Sequence, residues 1–121
     1  MVIFSSTLFL YGGMAMFEIE IHTDALQELH ELPAPQRAKM TRQIDKLAAY
    51  GTSLPEPSSQ PARDGFFELR VKAGDIGHEI YMYRKGKQIF ALKIFAKSTA
   101  KLPSSMLTAA ARRLEEILND E

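Results

Sequence analysis

Residues 66–72 alternate apolar and polar side chains, and two further strand-like segments, residues 76–84 and 88–97, follow directly. This period of two is typical of half-buried β-strands, and it limits the possible folds of the chain more than any other feature. The connections at residues 73–75 and 85–86 are short and contain glycine, which favours tight hairpin turns. The sequence therefore predicts three antiparallel strands in a row. In the third strand, Phe90, Leu92 and Ile94 are predicted to share one face.

The rest of the chain is mainly helical in pattern. Residues 17–22 alternate as a further strand, and two apolar stripes with helical spacing follow on either side of Pro33 and Pro35. A final apolar stripe runs from Leu107 to Leu118. We predict an α+β fold in the order β-α-α-β-β-β-α: an antiparallel-rich sheet of about four strands, an N-terminal helical hairpin and a C-terminal helix. We expect the helices to cover one face of the sheet.

The length of 121 residues suits a single domain. Residues 1–16 are apolar and uncharged, too short for a membrane span and unlike a secretory signal. We interpret them as an N-terminal extension, with translation starting at Met14 or Met16, and residues 17–121 as the domain. Residues 52–64 hold three prolines and read as a loop. The absence of cysteine favours a reducing compartment, so we predict a cytoplasmic protein without membrane contact.

The formal net charge is zero, but the charges are unevenly distributed. Residues 63–103 carry 9 basic and 4 acidic side chains, a net charge of +5, whereas both flanking regions are net acidic. A basic block of this kind is a common signature of proteins that bind polyanions. The alternative is a solvated sheet edge that lysines protect from aggregation.

Most familiar catalytic motifs are missing from the sequence. It contains no P-loop, no glycine-rich dinucleotide fingerprint and no HExxH motif. The three histidines do not have the spacing of metal ligands, so we predict neither a metal nor a cofactor.

The polar face of the sheet is the remaining place for chemistry. The alternation puts Arg70 and Lys72 on one face of their strand, and Lys93 and Lys97 on one face of theirs. If the strands are neighbours, these cations converge, together with His78 and an aromatic ring from Phe95, Tyr81 or Tyr83. Cations beside a stacking ring suit single-stranded nucleic acid. The same groups suit RNA cleavage by the 2′-hydroxyl, which needs a base, an acid and positive charge near the phosphate.

The segment KIFAKSTAKLP, residues 93–103, resembles the F-x-K-x-T-x-K-x-P segment of phage-derived HigB-like toxins in the RelE/ParE superfamily. The matching positions are Phe95, Lys97, Thr99, Lys101 and Pro103. Upstream, the residues Phe67-Glu68-Leu69-Arg70 look like the E-L-R strand of that family, and the turn at residues 85–86 falls where a hairpin turn belongs. The resemblance covers roughly residues 17–116.

The resemblance implies the toxin of a type II toxin–antitoxin pair. Most relatives cleave mRNA on the ribosome, and the ParE branch poisons DNA gyrase. The implied partners are mRNA, the ribosome and a cognate antitoxin, expected to be of the helix-turn-helix type. By position, we assign catalytic roles to Arg70, His78, Lys93 and Lys97. We assign RNA-binding roles to Lys72, Tyr81, Phe95 and Lys101.

The sequence also departs from the family pattern. His78 stands where relatives have an arginine, Glu79 stands at an apolar position, and Lys93 stands where many relatives have a histidine. A histidine at position 78 keeps the capacity for proton transfer. Two alternatives to a ribosome-dependent endoribonuclease therefore stay open: a gyrase poison, and a non-toxic binding module.

Overall fold

A computed structural model of the chain describes residues 3–6, 17–50, 59–84, 88–98 and 101–119. These ranges contain the strands β1 (Ile3–Ser6), β2 (Glu18–His22), β3 (Ser59–Pro61), β4 (Phe67–Ala73), β5 (Asp75–Arg84) and β6 (Gln88–Lys97). They also contain the helices α1 (Thr23–Glu31), α2 (Ala34–Tyr50) and α3 (Ser104–Asn119). The predicted α+β class is confirmed, with the four predicted strands and three helices in the predicted order. Within these residues, no helix is long and apolar enough to cross a membrane.

The strands form one sheet in the order β1-β2-β6-β5-β4-β3. β4, β5 and β6 are antiparallel neighbours, as their alternation and short connections predicted. β2 pairs with β6 in parallel, which places the second strand of the chain beside the last one.

Two short strands were not predicted, and they extend the sheet at both edges. β3 lies within the proline-rich segment that was interpreted as a loop, and it pairs with β4. β1 lies within the segment interpreted as an extension, and it pairs antiparallel with β2. Met14 and Met16, the turn at residues 85–86 and Thr99 lie outside the described residues.

The helices lie on both faces of the sheet, which corrects the expectation that they share one. The apolar stripes of α1 and α2 pack on a core that includes Leu69 and Tyr81. α3 packs on a second core that includes Ile80 and Phe90. Since Ile80 and Tyr81 are adjacent in β5, their side chains point to opposite faces. We call these the α2 face and the α3 face.

A β-bulge interrupts the pairing of β5 with β6. Ile80 lies opposite Lys93, but the next residue, Tyr81, lies opposite Ala91, so Leu92 is an extra residue in β6. The predicted common face of Phe90, Leu92 and Ile94 is therefore wrong, because Ile94 belongs to the core of the α2 face and the other two to that of the α3 face. The bulge thereby turns the following residues of β6 over.

Gly77 is a position in β5 where Val71 of the neighbouring strand β4 leaves no room for a side chain. A Cβ atom there would lie 2.8 Å from Cγ2 of Val71 and 3.4 Å from Cε of Met40. We expect Gly77→Ala to lower the free energy of unfolding by about 1–3 kcal/mol through overpacking, measured by urea denaturation. In a Val71→Ala background the clash is relieved, so the same substitution should cost less. An equal cost in both backgrounds would contradict this account.

Candidate nucleic-acid interface

The α3 face of β4, β5 and β6 carries three rows of side chains, which follow from the register of the strands. The inner row is Glu68, Ile80 and Lys93; the middle row is Arg70, His78 and Phe95; the outer row is Lys72, Ile76 and Lys97. Neighbouring strands are about 4.8 Å apart, so each row spans roughly 10 Å. α3 packs on Ile80 of the inner row. The two lysines of the outer row are exposed to solvent.

The middle row is tightly connected. The rings of His78 and Phe95 stack with centroids 4.7 Å apart and planes inclined by 7°. Nδ1 of His78 is hydrogen-bonded to Glu68 Oε2, and Nε of Arg70 donates to Glu68 Oε1 at 3.0 Å. His78 is completely buried, whereas the side chain of Arg70 is 26% exposed. The row therefore presents a guanidinium to solvent above a buried histidine.

The lysines of the outer row flank this arrangement. Lys72 and Lys97 are exposed. Lys97 and Lys101 line an open depression of about 510 Å³, together with the start of α3 at Ser104 and Ser105. As predicted, Arg70, Lys72, Lys93 and Lys97 lie on one sheet face, and Lys101 lies at its edge. We call Arg70, Lys72, Lys97 and Lys101 the basic face.

Lys93 differs from the other predicted cations because it is paired in a network. Its ammonium donates to Glu28 Oε2 of α1, and Arg113 of α3 donates to both carboxylate oxygens of Glu28 at 2.7 and 2.8 Å. The backbone N–H of Ile94 donates to Glu28 as well. Burial raises the pKa of Glu28, but the hydrogen bonds from Arg113 and Lys93 outweigh it, and the pKa is lowered overall. Through Glu28, the network connects β6, α1 and α3.

The network replaces a missing part of the sheet ladder. β2 pairs with β6 only at residues 88–91, after which the chain turns into α1. The carboxylate of Glu28 accepts a hydrogen bond from the N–H of Ile94, and Arg113 donates a hydrogen bond to the carbonyl of Leu92 at 2.9 Å. Side chains therefore satisfy backbone groups that a longer β2 would have paired.

Tyr81 lies away from the predicted interface. Its ring is completely buried on the α2 face and stacks on Phe67, with centroids 5.5 Å apart. This position corrects the prediction that Tyr81 contacts RNA, because the sheet itself separates the ring from the basic face. Phe95 is partly exposed and is the aromatic ring next to the basic face.

Sequence reasoning did not assign roles to Glu68, Glu28 and Arg113. A signal for Glu68 was present, because it stands two residues before Arg70 and so shares its strand face. No local signal existed for Glu28, which lies 66 positions from Ile94 and 85 from Arg113. Within the described residues, no three His, Asp or Glu side chains are grouped so that they could hold a metal ion.

Fold and site together define a class: a small α+β protein whose mixed sheet presents a basic, partly aromatic face suited to a polyanion. The chain belongs to the family described as "Phage derived protein Gp49-like (DUF891)", whose model matches residues 27–115. No curated protein matches the sequence significantly.

Two solved structures share the fold. One is the Escherichia coli toxin RelE, as a mutant with two arginines replaced by alanine, in the free state. It is 16% identical, with a TM-score of 0.59, over 83% of this chain and 98% of that one. The other is the toxin–antitoxin complex RelBE2 from Mycobacterium tuberculosis. Its matched chain is 18% identical in sequence, with a TM-score of 0.53, and the match covers 69% of this chain and 100% of that one. The expected RelE-like fold is confirmed.

Proposed function

We propose that this protein is the toxin of a toxin–antitoxin pair and that it cleaves mRNA on the ribosome. The observation that supports this most directly is the basic face, where Arg70 and the exposed side chains of Lys72 and Lys97 share one face of the sheet. The family match, the RelE-like fold and the segment at residues 93–103 support the same assignment.

Binding of the RNA backbone follows from charge. Lys72, Lys97 and Lys101 neutralise phosphates, and Arg70 offers a planar guanidinium that can donate two hydrogen bonds to one phosphate. In this proposal the ring of Phe95 leaves His78 and stacks on an RNA base instead. A face this small reads little sequence, so the ribosome supplies most of the specificity.

The proposed reaction is attack of the 2′-hydroxyl on the adjacent phosphorus. A bond forms between O2′ and phosphorus, and the bond from phosphorus to O5′ breaks. His78, uncovered when Phe95 moves, accepts the 2′-hydroxyl proton at Nε2, and Lys97 donates a proton to the leaving O5′. Arg70 and Lys93 stabilise the negative charge of the pentavalent phosphate, Lys93 after release from Glu28.

The partner of such a toxin is an antitoxin that covers the basic face. We propose a small helix-turn-helix protein for this role, and the solved toxin–antitoxin complex of similar fold supports a protein partner. Co-expression of a neighbouring helix-turn-helix gene is expected to restore growth, and failure to restore it would exclude that gene as the antitoxin.

The test of the function is induced expression in a bacterial host, with growth and mRNA integrity followed together. We expect wild-type protein to arrest growth and cleave mRNA. The double variant Arg70→Ala/Lys97→Ala should lower cleavage by about 100-fold or more, because it removes two groups that stabilise the phosphate. The matched control Arg42→Ala/Lys46→Ala removes the same charge from α2, on the other side of the sheet, and should behave as wild type.

The same experiment separates the alternatives. Growth arrest with intact mRNA and induction of the DNA damage response would replace the nuclease by a gyrase poison. Normal growth at high expression would identify a non-toxic binding module. Equal losses in both double variants would show that net charge, and not the basic face, determines activity.

A further inference from the structure

Glu68 is a buried carboxylate in the middle of a surface otherwise suited to anions. It is 1% exposed and lies in the inner row of the α3 face, next to Ile80 of the core. Burying a carboxylate is unfavourable unless it is paired, and an apolar residue at such a place often stabilises a fold equally well. The requirements of the fold alone therefore do not explain why a carboxylate occupies this place.

The two oxygens of Glu68 hold two members of the middle row. Oε1 accepts from Nε of Arg70 and lies 3.0 Å from Nη2 of the same guanidinium. Oε2 is hydrogen-bonded to Nδ1 of His78. One carboxylate thus sets the plane of the arginine and, by occupying Nδ1, directs the other ring nitrogen of the histidine away from itself.

Arg70 is the member of this group that reaches solvent. Its side chain is 26% exposed, against 2% for Glu68 and none for His78. The remaining nitrogen of the guanidinium, Nη1, has no partner among the described residues. Because Nε and Nη2 are held from behind, Nη1 and the outer proton of Nη2 keep one orientation.

We infer that Glu68 is a positioning residue: it orients Arg70 and His78 for the phosphate and does not touch the RNA. This inference rests on the proposed nuclease function and deepens it. Charge supports orientation as the role, since the carboxylate cancels the charge of Arg70 and so weakens the attraction of RNA. A protein that needed affinity alone would do better without Glu68.

Glu68→Gln tests the inference because it keeps the shape of the side chain and removes one negative charge. The control Glu115→Gln removes the same charge at an exposed position of α3. We expect Glu68→Gln to cleave mRNA about 10- to 100-fold more slowly, while it binds a labelled oligouridylate as tightly as wild type or more tightly. Glu115→Gln should cleave as wild type. Circular dichroism and thermal unfolding establish that both variants are folded.

A second readout does not depend on activity. In wild-type protein the Nε proton of Arg70, seen in arginine side-chain NMR spectra, should exchange slowly with water. Glu68→Gln should speed that exchange about tenfold or more, because the Nε proton loses its charged acceptor and meets at best a neutral amide oxygen. The inference is overturned if exchange is unchanged, or if an active wild type loses no cleavage on substitution. If wild-type protein leaves mRNA intact, the proposed nuclease function is wrong, and the exchange rates still decide the role of Glu68.

Discussion

Replacing Glu79 with leucine is expected to stabilise the protein at pH 7 by about 3 kcal/mol. Glu79 lies on the α2 face of β5, opposite Leu69 and Ile94, and is completely buried. Neither carboxylate oxygen has a hydrogen-bond partner among the described residues. Burial raises the pKa of Glu79 from 4.5 to about 8, so the folded protein holds this side chain protonated at neutral pH. Leucine has a similar volume and no polar atoms to desolvate.

The sign of the pH dependence follows from the same pKa. Below pH 4.5 both the folded and the unfolded chain keep the proton, and ionisation of Glu79 costs nothing. Between pH 4.5 and about 8 only the unfolded chain releases it, so each pH unit favours unfolding about tenfold. Above pH 8 the penalty is constant. The stability advantage of Glu79→Leu should therefore grow from pH 4.5 to pH 8 and then level off.

Urea denaturation of the two proteins across this pH range measures the difference directly. Glu79→Gln is the matched variant, since it removes the ionisation but keeps a buried polar group. It should abolish the pH-dependent part of the difference and recover less stability than leucine does. A leucine variant that is less stable than wild type at pH 7, or a difference that does not change with pH, would show that the carboxyl is solvated.

The opposite effect is expected from Glu28→Ala, which should destabilise the protein by about 3 kcal/mol. The substitution leaves Lys93 and Arg113 without their counter-ion, with side chains only 16% and 14% exposed. It also removes the acceptor of the Ile94 N–H. Unpaired charges and an unsatisfied backbone donor, in a place where three elements meet, are among the most destabilising changes known.

The network should also weaken at acid pH. Because the pKa of Glu28 is lowered in the folded protein, its contribution is present above pH 4.5 and is lost as the pH falls through the lowered value. Wild type and Glu28→Ala should therefore approach each other in stability below pH 4.5. Glu31→Ala, an exposed carboxylate of the same helix, is the control. If it is as destabilising as Glu28→Ala, loss of helix charge and not of the network is responsible.

Local pattern predicted much of this protein. The alternation at residues 66–72 placed Arg70 and Lys72 on one face, and both lie there. The turn at Gly74 has the positive φ of 80° that favours glycine. These features were predictable because side-chain direction in a strand, and conformation in a turn, depend on neighbouring residues.

Other features depend on which distant segments meet. The bulge at Leu92 moved Ile94 to the α2 face, and nothing in the alternation of residues 88–97 announced it. The burial of His78 beneath Phe95 depends on that same bulge, because an uninterrupted β6 would have pointed Phe95 to the other face. Whether a strand can contain an extra residue depends on its pairing with the partner strand and on the packing of the helices against it.

The sequence by itself determined the α+β class, the order of the elements and the shared face of Arg70 and Lys72, because each rests on periodicity within a short segment. Only the tertiary structure decided that β2 runs parallel to β6, that α3 covers the face opposite α1 and α2, and that Lys93 binds Glu28 65 positions away. Those outcomes are set by which of many compact arrangements buries the apolar surface and pairs the buried charges best, and that comparison involves the whole chain at once.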